Sequence, residues 1–151
     1  TSGTISLLVS RDFEPVMRMR WKQRTATAAT RWIGASLTFA GATPTNGIYF
    51  RHTAAGNIIA VCRAAGAETT IDTGVAAAAG VPHTGEIRVR SLVTATPRVF
   101  FWLDREYVGA ITTNIPTVDL GFGAHASVVT SGVGLTVDYL RLEQNYNRVG
   151  G

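Results

Sequence analysis

The chain is short of cysteine, lysine and acid, and each shortage removes a class of function. One cysteine, Cys62, among 151 residues excludes a disulfide within the chain and a cysteine-based zinc cluster. It lies in the apolar run NIIAVCRA and reads as a small buried hydrophobe, not a nucleophile. Lysine occurs once, at Lys22, so the other basic residues of the 14 are arginines, scattered without a run. The net charge of +4 and pI near 9.8 therefore carry no expectation of a nucleic-acid partner. No apolar stretch approaches the ~20 residues of a membrane helix, and no membrane partner is expected. Secretory and transit patterns are absent as well, and a start at Thr1 leads us to expect a processed chain or a segment of a longer one.

Catalytic and ligand-binding signatures are missing too. The three histidines, His52, His83 and His125, have no H-x-H or H-E-x-x-H spacing. No G-x-S-x-G elbow occurs, and GFGAH at residues 121–125 is not followed by a helical pattern, so it reads as small residues for packing and not as a phosphate loop. Asp12, Asp72, Asp119 and Asp138 are dispersed and make no calcium loop. No cofactor and no metal is expected.

What remains is rich in strand signals. Hydrophobic residues make up 46% of the chain and charged ones 16%, with 16 glycines, a balance that builds a core and leaves a surface suited to packing against copies or neighbours. Residues 14–22 (EPVMRMRWK) alternate, with Met17, Met19 and Trp21 on one face and Arg18, Arg20 and Lys22 on the other. Residues 4–10, 31–40, 47–52, 58–63, 68–73, 86–93, 120–129 and 134–143 read as further strands, punctuated by glycine, proline and Asn-Gly. The segment GVAAAAG at 74–80 is too short for an independent helix and is expected to be a loop crossing between sheets. About ten strands without intervening helices indicate one all-β domain over residues 1–151, an antiparallel two-sheet sandwich with a closed barrel as the alternative.

The stretch VFFWLDREYVGAIT at 99–112 sets Asp104 and Glu106 beside Phe100, Phe101 and Trp102. A glycosidase places two carboxylates across a cleft at a controlled separation. Here the acids fall in a short polar connection between two apolar strands, where aspartate serves the turn by accepting from nearby amides. The E-x-D-x-x-E strand motif of jelly-roll glucanases is absent, so no catalytic residue and no enzymatic role is expected.

The succession NGIYFRHTAAGNIIAVCRAAGAETTIDTG, GEIRVRSLVTATPRVFFWLDREYVGAITTNIPT and GLTVDYLRLE resembles the concanavalin A-like jelly-roll domains of tailed-bacteriophage virion proteins, over about residues 13–143. The resemblance rests on strand order and spacing. It implies a jelly-roll sandwich in a virion, as a capsid decoration or a tail or fibre module, with other virion proteins as partners and a homo-oligomeric assembly. The family hairpin carries Asp-Gly where this chain has Asp104, Arg105 and Glu106. Lacking that glycine, a longer loop based on a type I turn is expected there.

Two groups of side chains are candidates for binding. Arg18, Arg20, Arg88, Arg90 and Arg141 alternate with apolar neighbours on their strands and would form a stripe if those strands shared a sheet. Such a stripe is either a solvated face balanced by Glu86, Asp138 and Glu143 or a contact with neighbouring subunits. Trp32, Tyr49, Arg51 and His52 would provide a platform for a surface glycan if their faces reached solvent; otherwise the aromatics pack under a loop or against a neighbour. The main expectation is thus a virion structural module, and the alternative is a carbohydrate-binding receptor-recognition module.

Overall fold

Strict alternation of large apolar side chains makes the chain a two-layer structure, because only every second residue of a strand can face the same layer. The computed structural model describes residues 8–9, 14–24, 30–39, 43–52, 56–90, 96–126 and 134–144. They form β1 (Leu8–Val9), β2 (Val16–Gln23), β3 (Arg31–Ser36), β4 (Gly47–His52), β5 (Asn57–Ala64), β6 (Ala67–Ala76), β7 (Pro82–Arg90), β8 (Arg98–Leu103), β9 (Glu106–Ile111), β10 (Leu120–Ala126) and β11 (Leu135–Glu143). The strands make two antiparallel sheets, one of six in the order β1-β10-β3-β4-β5-β6 and one of five in the order β11-β2-β7-β8-β9. No helix occurs among the described residues.

The core lies between the sheets. Met17, Met19 and Trp21 of β2 meet Ile48 and Phe50 of β4, with Phe101 of β8 completing the centre, all essentially without exposure. Trp21 stacks on Phe50 at 5.8 Å between ring centroids, and Phe50 meets Phe101 edge-on at 5.6 Å. Aromatic pairs in these geometries add about 0.5–1.5 kcal/mol beyond their burial. Gly85 on β7 makes room for them, since a Cβ there would stand 2.8 Å from the Phe50 ring and 2.9 Å from that of Trp21.

The expected elements are present among the described residues, which leave out 4–7, 10, 40, 91–93 and 127–129 of the expected strands. β7 begins at Pro82, four residues earlier than expected, and three further differences follow. β6 continues to Ala76 and absorbs half of the segment expected to be a loop. There the Thr73 hydroxyl donates to the Ile58 carbonyl at 2.7 Å and the Ala77 amide to Gly56 at 3.0 Å, so pairing overrides the helical preference of alanine. β3 stops at Ser36, four residues early, because the Ser36 hydroxyl donates to the Thr38 carbonyl at 2.6 Å and turns the chain.

The third difference is the hairpin between β8 and β9. Leu103 pairs with Glu106, which leaves a two-residue turn, and Asp104 and Arg105 both have positive φ, at 52° and 74°. The longer loop expected from the missing glycine is not formed. Asp104 tolerates the left-handed region, and its Oδ1 accepts from the Thr84 amide at 2.8 Å while its own amide donates to the Thr84 carbonyl at 2.7 Å. Those bonds to β7 hold a tight turn that glycine would otherwise have to permit.

Replacing Phe101 by alanine is expected to lower the unfolding free energy by about 3–5 kcal/mol, and Gly85→Ala by about 1–3 kcal/mol through overpacking. Urea denaturation measures both; a Gly85→Ala protein as stable as the parent would show that the aromatic column is loosely packed.

Candidate functional site

The outer face of the six-stranded sheet carries three rows of side chains set by strand register. Reading from β10 to β6, the first row is His125, Trp32, Arg51, Ile59 and Asp72. The second runs Gly123, Gly34, Tyr49, Val61 and Thr70, and the third Gly121, Ser36, Gly47, Arg63 and Glu68. The half toward β10 is paved with aromatics: Trp32 packs against Phe39 at 5.3 Å, Tyr49 at 5.5 Å and His125 at 5.6 Å. Phe39 lies flat on β10, where a Cβ on Gly123 would come within 2.5 Å of its ring. Trp32, Tyr49 and Val61 form a second small core outside the main one.

The half toward β6 is ionic. Both terminal nitrogens of Arg51 donate to Glu68, at 2.8 and 2.9 Å, and Arg63 donates to the same carboxylate at 2.9 Å. Arg51 starts in the first row and Glu68 in the third, so the guanidinium crosses the middle row above Tyr49 and Val61. Burial alone would raise Glu68, but the bonds and charges of the two arginines outweigh it and hold the carboxyl below its ordinary range. Arg51 is pulled down by burial and raised on balance by the same bonds. Tyr49 is pushed up to about 12, first by burial and then by the charge of Glu68. At the rim the Asn57 amide donates to Asp72 at 2.9 Å, and the Gly74 amide donates to the same oxygen at 2.8 Å, which lowers Asp72.

The four residues expected to form a glycan platform separate in the structure. Arg51 stays on the outer face, half-buried, but Trp32 and Tyr49 have no exposed surface and offer no open ring. His52 follows Arg51 on β4 and by alternation faces the core. Arg63, Glu68 and Asp72 were missed; each is an ordinary polar residue of a hairpin, and only the β4–β5–β6 register shows that Glu68 joins Arg51 and Arg63 and that Asp72 stands beyond Ile59 in the row of Arg51.

The stripe of Arg18, Arg20, Arg88, Arg90 and Arg141 does form, because β11, β2 and β7 are neighbours in the five-stranded sheet. Glu86 accepts from Arg18 at 2.7 Å and also from Arg88, while Glu143 accepts from Arg18 at 2.7 Å and Arg141 at 2.9 Å. These shared bonds and the surrounding charges raise Arg18 and lower Glu86, in each case against the effect of burial. Asp104 is committed to its turn and to His83, whose Nδ1 lies 2.8 Å from Oδ2, and Glu106 is exposed beside it. Among the described residues no group of three or more His, Cys, Asp or Glu side chains is placed to hold a metal ion.

No protein-family model and no curated protein matches the sequence. Solved structures do. A native glycosidic hydrolase superposes at a TM-score of 0.62 and 13% identity over 87% of this chain, which spans 65% of the hydrolase. Sheep galectin-11, solved in complex with glycerol, matches at 0.58 and 10% identity over 95% of this chain and 99% of its own. An endo-beta-1,4-glucuronan lyase from the fungus Trichoderma reesei matches at 0.56 and 12% identity, over 97% and 77%.

At these identities the likeness establishes the fold: the chain is a concanavalin A-like jelly-roll sandwich, with the lectin-like architecture of the galectins. The expectation of a chain with no enzymatic role is corrected here, since a glycosidic hydrolase, a glucuronan lyase and alginate lyases share this sandwich. The similarities concern the sandwich and not a phage origin, which rests on the resemblance of strand order alone.

Behind the outer face, His52 stands opposite Arg31 in register, and both are buried between the sheets. Neither ring nitrogen of His52 has a hydrogen-bond partner among the described residues. Arg31 reaches Gln23 at 3.4 Å, whose amide donates to the Ala77 carbonyl at 2.7 Å. Burial, with the charges of Arg31 and His83 added, lowers His52 from 6.5 to about 4. The folded state therefore binds fewer protons than the unfolded one, so stability is complete above pH 6.5 and is lost as the pH falls toward 4, by ~3 kcal/mol. Denaturation midpoints followed from pH 7 to 4 should show this loss, and His52→Gln should remove it; an unchanged slope in that variant would assign the loss to other groups.

Proposed function

We propose that the chain is a lectin-like carbohydrate-binding module, and that its glycan face is the outer surface of the six-stranded sheet around Arg51, Glu68 and Arg63. The observation that carries this reading is the clamp of two arginines on one carboxylate, each side chain only 21–23% exposed, set on a fully buried floor of Tyr49 and Val61. A saccharide presents hydroxyls that both donate and accept, and it gains most from partners that are charged and already fixed. Glu68 keeps lone pairs for hydroxyl donors, and Arg51 and Arg63 keep N–H groups for hydroxyl acceptors. Asp72, held by Asn57 and Gly74, extends the same polar edge. The match to sheep galectin-11 over nearly the whole of both chains supports the reading.

The virion origin that the strand order resembles fits within this proposal: a receptor-recognition module on a phage particle would turn this face toward a host-surface glycan, and repeated copies would add avidity. Turnover of the bound polymer is a second reading, favoured by the hydrolase and the lyases that share the fold. Glu68, kept ionised between two guanidiniums, would serve that reading as a fixed negative charge and not as a proton acceptor, because the same arginines weaken it as a base. Incubation with neutral and acidic polysaccharides followed by reducing-end analysis tests that reading.

Binding is tested on an array of neutral glycans, followed by calorimetry with the best ligand. Arg51→Ala and Glu68→Ala are each expected to weaken binding by about tenfold or more, equivalent to ~1.4 kcal/mol. If both variants bound like the parent, the glycan face would lie elsewhere.

A further inference from the structure

The opposite surface of the protein, the outer face of the five-stranded sheet, has its own chemistry. Carboxylates there sit between arginines: Glu143 bridges Arg18 and Arg141, which are directly opposite each other on β2 and β11. Glu86 likewise lies between Arg18 and Arg88. A further pair of arginines, Arg90 of β7 and Arg98 of β8, is also directly opposite in register. Like charges in that position repel each other unless an anion lies between them. Here the protein supplies little: Arg90 is exposed with Glu14 at 3.9 Å, and Arg98 is exposed with no carboxylate partner among the described residues.

Beside this pair runs an aromatic strip. Phe100 and Trp102 alternate with core residues on β8, their rings 6.1 Å apart, and Tyr107 of β9 lies 5.4 Å from Trp102 and is 57% exposed. The Arg88 guanidinium covers part of Trp102 at 4.8 Å from the ring centroid. Half-exposed rings next to a guanidinium pair match a ligand whose sugar rings lie on the strip while its carboxylate enters between the arginines.

The structure assigns this surface as a second site, for a carboxylate-bearing polysaccharide, with Arg90 and Arg98 receiving the carboxylate and Phe100 and Trp102 the sugar ring. A peptide rich in glutamate would satisfy the arginines but not the strip. A sulfate ester, which an arginine fork also accepts, is the competing anion, and the carboxylate is favoured by the precedent on this face, where Glu143 fills the gap between Arg18 and Arg141. The site lies on the other sheet from the glycan face and does not depend on it.

The probe is polygalacturonate, with its methyl ester as the uncharged polymer of the same backbone. Trp102 reports binding, because Trp21 and Trp32 have no exposed surface. Expected are a saturable change in tryptophan fluorescence with polygalacturonate, none with the ester, and a loss of affinity of roughly tenfold in Arg90→Gln/Arg98→Gln. Arg98→Lys, which keeps the charge and loses the fork, should fall between. Arg51→Ala, on the other sheet, should bind polygalacturonate like the parent even if it has lost the neutral glycan. The assignment is overturned by equal affinity for polyglutamate or dextran sulfate, by absence of binding, or by indifference to the double substitution.

Discussion

Everything on both surfaces depends on the contact of Trp21 with Phe50 across the interior. One ring belongs to the five-stranded sheet and the other to the six-stranded sheet, and their stacking at 5.8 Å fixes which parity of β2 and of β4 points inward. Once that is set, hydrogen-bonded register carries the choice to every neighbouring strand, because a slip of a single residue would turn each inward set outward. Tyr49 and Arg51 must then face out from β4, and Arg18 and Arg20 from β2. The two surface chemistries are consequences of one interior packing decision.

The same constraint accounts for what the sequence showed and what it concealed. Alternation is a local property, so the strand containing Met17, Met19 and Trp21 was legible from nine residues, and so was the β4–β5–β6 meander. Which strands become neighbours is not local. The stripe of arginines could be read as conditional on a shared sheet, and the pairing of β11, β2 and β7 met the condition. The clamp on Glu68 could not be read at all, since Arg51, Arg63 and Glu68 come together only through the register of three strands.

Burial was the other hidden quantity. Trp32 and Tyr49 have the parity of surface residues and are nevertheless fully covered. Glycines beneath them, at Gly121, Gly123 and Gly47, let Phe39 and Tyr49 lie on backbone with no Cβ in the way. An outward-facing aromatic therefore stood for a second layer of packing instead of an open ring. Trp102 and Tyr107, which do reach solvent, belong to the strip first read for its acids. Asp104 in that strip is spent on geometry: its bonds to Thr84 and His83 hold both turn residues at positive φ without a glycine.

Acids are scarce in this chain, and how they are used separates the two faces. On the six-stranded sheet Glu68 takes two arginines, so the charge of the cluster is carried by rigid, half-buried groups with directed lone pairs and N–H bonds. On the five-stranded sheet Glu86 and Glu143 are each shared in the same way, and the supply of carboxylates ends before Arg98. Exposed ion pairs contribute at most about 1 kcal/mol each, so stability alone gives little reason to concentrate arginine on a sheet face. Recognition gives a stronger one, because a planar fork held by its neighbours loses little freedom when a ligand's oxygen replaces water. One face is thus self-neutralised and suited to hydroxyls, and the other is left short of anions beside partly exposed aromatic rings.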